Sequence, residues 1–346
     1  MAVRAVVVTR RGSPDVLRVE RRPKPEPRRG EVRVAVEAAG LNFADVLARA
    51  GLYPDAPKLP CVLGYEVAGT VDAVGAGVES LHPGDRVMAG THFKGQAEFA
   101  VAKAVDTLQI PDGMSAVEAA AIPVAYMTAY AGLVLMAGVR RGERVLIHAA
   151  AGGVGIAATQ IGRHLGAVII GTASAAKHDR VRENGAEHCI DYRTESVSDE
   201  VRRITNGEGV DVTFNALGPT SLRADWQLLR PGGRVVAYGA SQVQQGDRRN
   251  MRAAIGTVLG FPFATMPWWK GPAMLNENKG VFGLNLLHWW EREGNLERLL
   301  EPLRELLAAG VVKPVVDSTF TFERAPDAHR RLMEAKNVGK VVLTPN

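Results

Sequence analysis

Cysteine is scarce in this chain of 346 residues, which carries only Cys61 and Cys189. Two thiols exclude a four-cysteine zinc site and a disulfide framework, and they fit a reducing compartment. Long apolar runs are also missing. Gly, Pro or a charge breaks each apolar stretch short of the roughly 18–20 residues that span a bilayer, so no transmembrane segment is expected. The opening residues, Met1 to Gly12, turn basic too soon for a signal peptide, and a cytoplasmic protein is expected. No charge sign dominates: 42 basic residues face 37 acidic ones, a net +5, which favours anionic ligands only weakly. The most basic stretch, Arg21 to Gly30, holds three prolines. It reads as a solvated loop between strands, because no stacking or base-reading elements surround it, and no nucleic-acid partner is expected. Hydrophobic residues make up 46% and charged residues 23%, which excludes a disordered chain. At roughly 150 residues per domain the length implies two domains.

The first third is β-rich. Apolar or alternating runs stand at Ala2–Val8, Val16–Val19, Glu31–Ala38, Glu66–Val74 and Arg86–Ala89, with one short helix near Phe43–Ala50. Ser115 and Glu118 have the spacing of a capping box before a helical stretch through Ile122, and the pattern resumes after Pro123. From Arg144 strands and helices alternate. Val145–His148, Ala167–Thr172, Val210–Phe214 and Arg234–Tyr238 read as strands, with Gly155–Leu165, Lys177–Asn184 and Ser198–Ile204 as amphipathic helices between them. Such alternation predicts a doubly wound parallel sheet. The tail gives helix Leu296–Ala309, strand Val315–Phe322, helix Ala325–Glu334 and strand Lys340–Leu343. The segment Gln242–Gly280 is apolar and aromatic but fits neither period. It is expected to form short helices over a cleft, with Phe261, Phe263, Trp268 and Trp269 facing a flat acceptor, or else to be an internal packing or dimer element.

The central motif is RVLIHAAAGGVGIAATQIGRHLGA. A strand runs into small residues and then opens a helix, so backbone N–H groups can approach a pyrophosphate at the helix N-terminus. Gly152 permits the close approach and Gly155 lets the helix pack on the strand, with Ala150 in place of the first glycine of the usual fingerprint. Ala151, Gly152, Gly153, Val154 and Gly155 are the expected phosphate-loop contacts. An NAD site would carry an acidic residue about 20 residues on. Here the sequence is Thr172, Ala173, Ser174, Ala175, Ala176, Lys177. A hydroxyl and an ammonium suit a 2′-phosphate instead. Ser174, Lys177 and Tyr192 therefore predict NADPH as cofactor; the lesser alternative is that Lys177 only opens a surface helix.

The ordered set Gly142, Glu143, Leu146, Ala150, Ala151, Gly152, Gly153, Gly155, Gln160 and Arg163 resembles the signature of quinone oxidoreductases. These are zinc-independent members of the medium-chain dehydrogenase/reductase superfamily. The likeness extends over nearly the whole chain, through LNFADVLARAGLYP, LGYEVAGTVDAVGAGV, RPGGRVVAYG and NVGKVVL, and it is similar to the branch related to the synaptic vesicle membrane protein VAT-1. It implies an α/β protein with a GroES-like, partly open β-barrel catalytic domain (residues 1–122 and 312–346) and a Rossmann domain (residues 123–311) that binds NADPH. The active site is expected in the cleft between them.

Zinc-dependent members of the superfamily use a cysteine, a Gly-His-Glu and a second cysteine. The matching positions here are Asn42 and Tyr65, with only Glu66 kept, so no metal site is expected. Without a Lewis acid, hydride must go to an already activated acceptor, a quinone or an α,β-unsaturated carbonyl. The resemblance implies that Asn42 hydrogen-bonds the cofactor ribose or a substrate carbonyl. Tyr53 and Tyr65 are each either a donor to the developing oxyanion or a wall of the site. It also carries over Thr128, Phe282, Gly283, Gly339 and Lys340 as cofactor contacts. Asn215, Gly218, Gly239 and Ser241 follow strand ends that line the crevice of such sheets. A homodimer through the last Rossmann strand, VFGLNL, is implied. Two alternatives stand beside this reading: an enoyl-thioester reductase, and a non-catalytic NADPH-binding protein of the vesicle-associated or RNA-binding kind.

Overall fold

The computed structural model describes residues 1–241, 244–245, 248–249 and 272–346, in two compact units. Phe261, Phe263, Trp268 and Trp269, and with them the expected cover formed by 242–280, lie outside the described residues except at that segment's edges.

The first unit comprises Met1–Met127, Leu287–Ala308 and Pro314–Asn346. Its N-terminal strands are β1 (Ala2–Val8), β2 (Leu17–Pro23), β3 (Glu31–Leu41), β4 (Cys61–Val62), β5 (Glu66–Val74), β6 (Arg86–Gly90), β7 (Phe99–Lys103) and β8 (Thr107–Gln109). Strand β3 is the axis of the larger sheet. Its alternation buries Val32, Val34 and Val36 in a core shared with Leu63, Val67, Val71 and Val87. Two register shifts bend β3 along β5. At this bend the backbones approach so closely that a Cβ on Gly69 would stand 2.0 Å from the Ala35 carbonyl oxygen. Helix Phe43–Ala50 starts where Asp45 accepts the Asn42 N–H and stops at Gly51, in the left-handed region. The capping box of Ser115 and Glu118 forms, with both reciprocal bonds made. Within the basic stretch Lys24 pairs with Asp72, which Arg33 shares, and lies over the Phe99 ring, and Arg22 pairs with Glu20.

The second unit holds Thr128–Leu286 and Ala309–Lys313. Its strands are β9 (Arg144–Ile147), β10 (Val168–Ala173), β11 (His188–Asp191), β12 (Val210–Asn215), β13 (Leu229–Ala237), a short pair β14 (Gln244–Gln245) and β15 (Arg248–Arg249), and β16 (Gly280–Gly283). Six of them form a parallel sheet in the order β11-β10-β9-β12-β13-β16. This is the doubly wound order, whose switch point falls between β9 and β12. Val145, Leu146, Ile147, Ile170, Val212 and Phe214 are fully buried, as expected of strands covered on both faces. The chain ends in the first unit, where β17 (Val316–Thr321) pairs with β18 (Lys340–Thr344), and β18 pairs with β3.

The structure departs from the sequence expectations in three respects. Residues Leu287–Ala308 cluster with the first unit, whereas 123–311 was expected to be one domain. Leu287 joins the first unit's core, and buried Asp106 accepts from Trp290 Nε1 (2.9 Å) and the Leu296 N–H (2.5 Å). Strands β4, β7 and β8 were not anticipated. Third, the helical run Ala116–Met136 is long and apolar enough to cross a membrane by length and composition, which the sequence analysis did not foresee. Of its most apolar window, 72% is buried inside the protein, so it is accounted for as a core helix.

Gly69→Ala should destabilise the first unit by about 1–3 kcal/mol, because the added methyl meets fixed backbone and not a movable side chain. Urea unfolding would measure it. An unchanged midpoint would mean that β3 and β5 separate freely at the bend.

Candidate functional site

The site residues fall into two sets, one in each unit. In the second unit β9 ends at Ile147 and the chain turns through Ala149, whose φ of +52° lies in the left-handed region. Helix Gly153–His164 then starts with Gly152 at its N-cap and no side chain capping it. The first-turn amides are thus presented by a helix end that has no capping side chain of its own. A Cβ on Gly155 would lie 2.3 Å from the Ala149 oxygen and 2.6 Å from Ala150 Cα, which is why the helix can sit so close to the loop. Ala150 and Ala151 are buried beneath it. This cradle of small residues fits a dinucleotide pyrophosphate.

At the end of β10, Ser174 is buried and Lys177 is half-buried in a single 3-10 turn. Tyr192, just past β11, is 47% exposed. Asp191 closes the neighbouring strand, but its carboxylate is turned onto Arg193 N–H and Thr194 Oγ1, contacts that hold its pKa below the usual range. Asp191 also accepts the Ala175 N–H, in the 3-10 turn, and Glu195 accepts the Asp191 N–H (2.7 Å), so both carboxylates are engaged with backbone groups.

Asn215 is fully buried at the end of β12. Its Oδ1 accepts the N–H groups of Leu217 (2.8 Å) and Gly218 (2.9 Å), and its Nδ2 donates to Ser221 Oγ (2.8 Å) and to Asp225. Both ends of the amide are used, so Asn215 builds the turn and leaves contact with a ligand to its backbone. Gly218 takes φ +107° in that turn. The turn after β13 lies against it: Ser241 N–H donates to the Ala216 oxygen, and a Cβ on Gly239 would stand 2.6 Å from that same atom. Thr128 is buried at the start of the unit. Phe282 is exposed and Gly283 is open on β16, the edge strand among the described residues.

In the first unit the structure gathers Asn42 and Lys340 around Glu66, the residue that follows Tyr65. Glu66 is completely buried; its Oε1 accepts Asn42 Nδ2 (2.8 Å) and its Oε2 accepts the Val124 N–H (2.7 Å). Lys340 Nζ forms an ion pair with Glu66 and donates to Asn42 Oδ1 (2.7 Å). The Asn42 amide is thereby fixed in orientation, with one Nδ2 hydrogen left over. Lys340 reaches this point because Gly339, at φ +85°, passes within contact of Val315; a Cβ there would lie 2.1 Å from the Val315 oxygen. Tyr65 is buried against the Phe93 ring, at 4.8 Å between centroids. Burial, with Tyr53 beside it, pushes the Tyr65 hydroxyl well above the usual phenol range. Tyr53 itself is half-buried.

This corner does not suit a catalytic zinc. Zinc needs anionic or imidazole donors with free lone pairs. The carboxylate is already covered by an ammonium, an amide and a backbone N–H, and the flanking positions are Asn42 and Tyr65. No cluster of three His, Cys, Asp or Glu able to hold a metal occurs among the described residues. The Lys340–Glu66 pairing is the feature of this set that sequence reasoning missed. Its partners are remote in sequence and no local pattern announces it.

The fold and these two sets define the class. Residues 28–117 match the family model for an alcohol dehydrogenase GroES-like domain, and residues 184–343 match one for a zinc-binding dehydrogenase. The chain belongs to the medium-chain dehydrogenase/reductase superfamily, in its VAT-1-like branch: it is an oxidoreductase whose family uses a nicotinamide cofactor. It is 39% identical over 354 residues to the human synaptic vesicle membrane protein VAT-1 homolog, covering 99% of this chain and 86% of that one. Among solved structures it is similar to the Escherichia coli quinone oxidoreductase complexed with NADPH (28% identity, 99% and 100% coverage, TM-score 0.83). It is also similar to the CurK enoyl reductase (31% identity, 99% coverage of each chain, TM-score 0.83).

Asp45 lies under this corner, fully buried, accepting the N–H groups of Asn42 and Gly64. Burial raises its pKa from 3.8 to about 7. A carboxyl raised in the folded state contributes stability that is fully present below 3.8 and is lost as the pH rises through about 7. The unfolding free energy should therefore fall across that window by of order 1 kcal/mol per pH unit from this group. Asp45→Asn should flatten the slope in denaturant titrations. A slope as steep as that of the wild type would assign the pH dependence to other groups.

Proposed function

We propose that this protein is a zinc-independent, NADPH-dependent reductase that delivers hydride to a conjugated acceptor, a quinone or an α,β-unsaturated carbonyl. The observation that carries this reading is the charge at each set. The ribose corner carries Ser174 and Lys177 beside two carboxylates, Asp191 and Glu195, that are engaged with backbone N–H groups, and the cation corner is filled by Lys340. The first favours a 2′-phosphate through charge-assisted hydrogen bonds. The second leaves no site for a metal that would polarise an unactivated carbonyl.

When bound, a nicotinamide would supply the hydride. The protein then has to position the acceptor, exclude water from it and steady the oxygen on which charge develops. The spare Nδ2 hydrogen of Asn42 is aimed by its two partners and costs no reorganisation when it donates. Tyr53, half-buried, is the hydroxyl more open to a ligand. Tyr65, held protonated by its burial, acts as a neutral donor or wall and not as a proton-transfer group. In the second unit the first-turn amides from Gly153 and the glycines at 152 and 155 would cradle the pyrophosphate, with Tyr192 flanking the phosphate corner. The β16 edge, unpaired among the described residues, would be the surface on which a second copy pairs to make a homodimer, and the two free cysteines fit a reducing, cytoplasmic location.

An enoyl-thioester reductase is the second reading, favoured by the similarity to the CurK enoyl reductase. Its acceptor is also a conjugated carbonyl, so the same residues serve; steady-state comparison of a crotonyl thioester with a quinone separates the two.

Lys177→Ala should weaken NADPH by about ten- to a hundredfold, the worth of a charge-assisted phosphate contact, and leave NADH nearly unchanged. Fluorescence titration with both cofactors checks this, and equal weakening of the two would refute the phosphate assignment.

A further inference from the structure

His148 lies outside the set of residues considered for function, yet it stands at the centre of a closed polar network in the second unit. It follows β9 directly and precedes Ala149, where the phosphate loop takes its left-handed turn. It is buried, as are Thr172, Asn215 and Asp225. Its Nε2 lies 2.8 Å from Asp225 Oδ1 and its Nδ1 lies 3.2 Å from Thr172 Oγ1. Since an ionised carboxylate only accepts, Nε2 carries the hydrogen. The other Asp225 oxygen accepts from Asn215 Nδ2, and Asn215 Oδ1 holds the backbone of Leu217 and Gly218. Only one amide orientation fits, because backbone N–H groups cannot accept. One chain of bonds thus joins the ends of β10, β9 and β12, three neighbours at the switch point of the sheet. It connects the phosphate loop to the 215–218 turn.

We propose that His148 and Asp225 are positioning residues for the dinucleotide: the buried pair fixes the phosphate loop and the Asn215–Gly218 turn in the one relative arrangement that receives the cofactor. Neither residue needs to touch the ligand. His148 restrains the loop by its ring, one residue before the strained Ala149. Asp225 restrains the turn by keeping the Asn215 amide from rotating. Because the two act through the same bond, their effects on cofactor affinity should not add. The inference rests on this unit binding a nicotinamide dinucleotide.

The test is NADPH binding by fluorescence titration, with melting of the cofactor-free protein measured alongside. His148→Ala should weaken NADPH about tenfold or more. His148→Gln, whose amide reaches the position of Nε2 and can still donate to Asp225, should bind within about threefold of the wild type. Asp225→Asn keeps the shape but turns an NH2 toward His148 or Asn215; it should bind as weakly as His148→Ala, and the double variant no more weakly than either alone. A wild-type affinity in His148→Ala or Asp225→Asn, with only the melting temperature lowered, would make the pair purely structural and overturn the proposal. Equal loss in His148→Gln and His148→Ala would overturn it as well. Wild-type protein that binds neither NADPH nor NADH would instead remove the cofactor reading beneath it, an outcome distinct from the other two.

Discussion

One buried ammonium organises the first unit's functional corner. Lys340 Nζ faces Glu66 and Asn42 with its side chain almost wholly out of solvent. Taking an unpaired charge to such a place would cost several kcal/mol, and removing one partner of such a pair typically costs about 3–5 kcal/mol. Lys340 and Glu66 are therefore costly to separate. Through them β18, from the far end of the chain, is tied to β5 and to the first turn of helix Phe43–Ala50. The Val124 N–H, in the first turn of helix Pro123–Tyr130, is satisfied by the same carboxylate. The orientation of the Asn42 amide follows from these contacts.

The second unit solves a different problem, that of holding an anionic ligand on backbone. Its means are steric. Small residues at 149–155 allow loop, helix and strand to approach within contact, and the helix end carries the partial positive charge. Buried side chains at the strand ends, Thr172, His148 and Asn215, spend their polar capacity on each other and on the backbone, which fixes the loops that follow. On the reading proposed above, Lys177 at the edge would set the choice between cofactors, apart from the backbone groups that would hold the phosphates.

Much of this was legible in the chain wherever the signal was local. Ala2–Val8, Phe43–Ala50 and Glu66–Val74 lie within the bounds expected, because alternation, the Asn42–Asp45 box and Gly51 act over a few residues. The Ser115–Glu118 box and the strand–loop–helix at 145–164 belong to the same kind, and so does the missing acid after β10. Contacts between remote parts were not legible. Asn42 and Lys340 are 298 positions apart, and His148 and Asp225 are 77 apart. No spacing rule links such pairs. The assignment of Leu287–Ala308 to the second unit failed for the same reason: helical periodicity shows that a face is apolar, not which core it joins. Asn215 was expected as a ligand contact from its place at a strand end; that its side chain is spent on the turn, leaving its backbone for a ligand, was not legible.

The account stands most directly on the acceptor and the metal together. The measurement is NADPH consumption by purified protein after exhaustive chelation, with a quinone, an enone and a saturated ketone as acceptors, and with metal content determined on the same sample. The account predicts unchanged turnover of the conjugated acceptors, none of the saturated ketone, and far less than one metal ion per chain. One tightly held zinc per chain, lost together with activity, or reduction of the saturated ketone at a comparable rate, would contradict it.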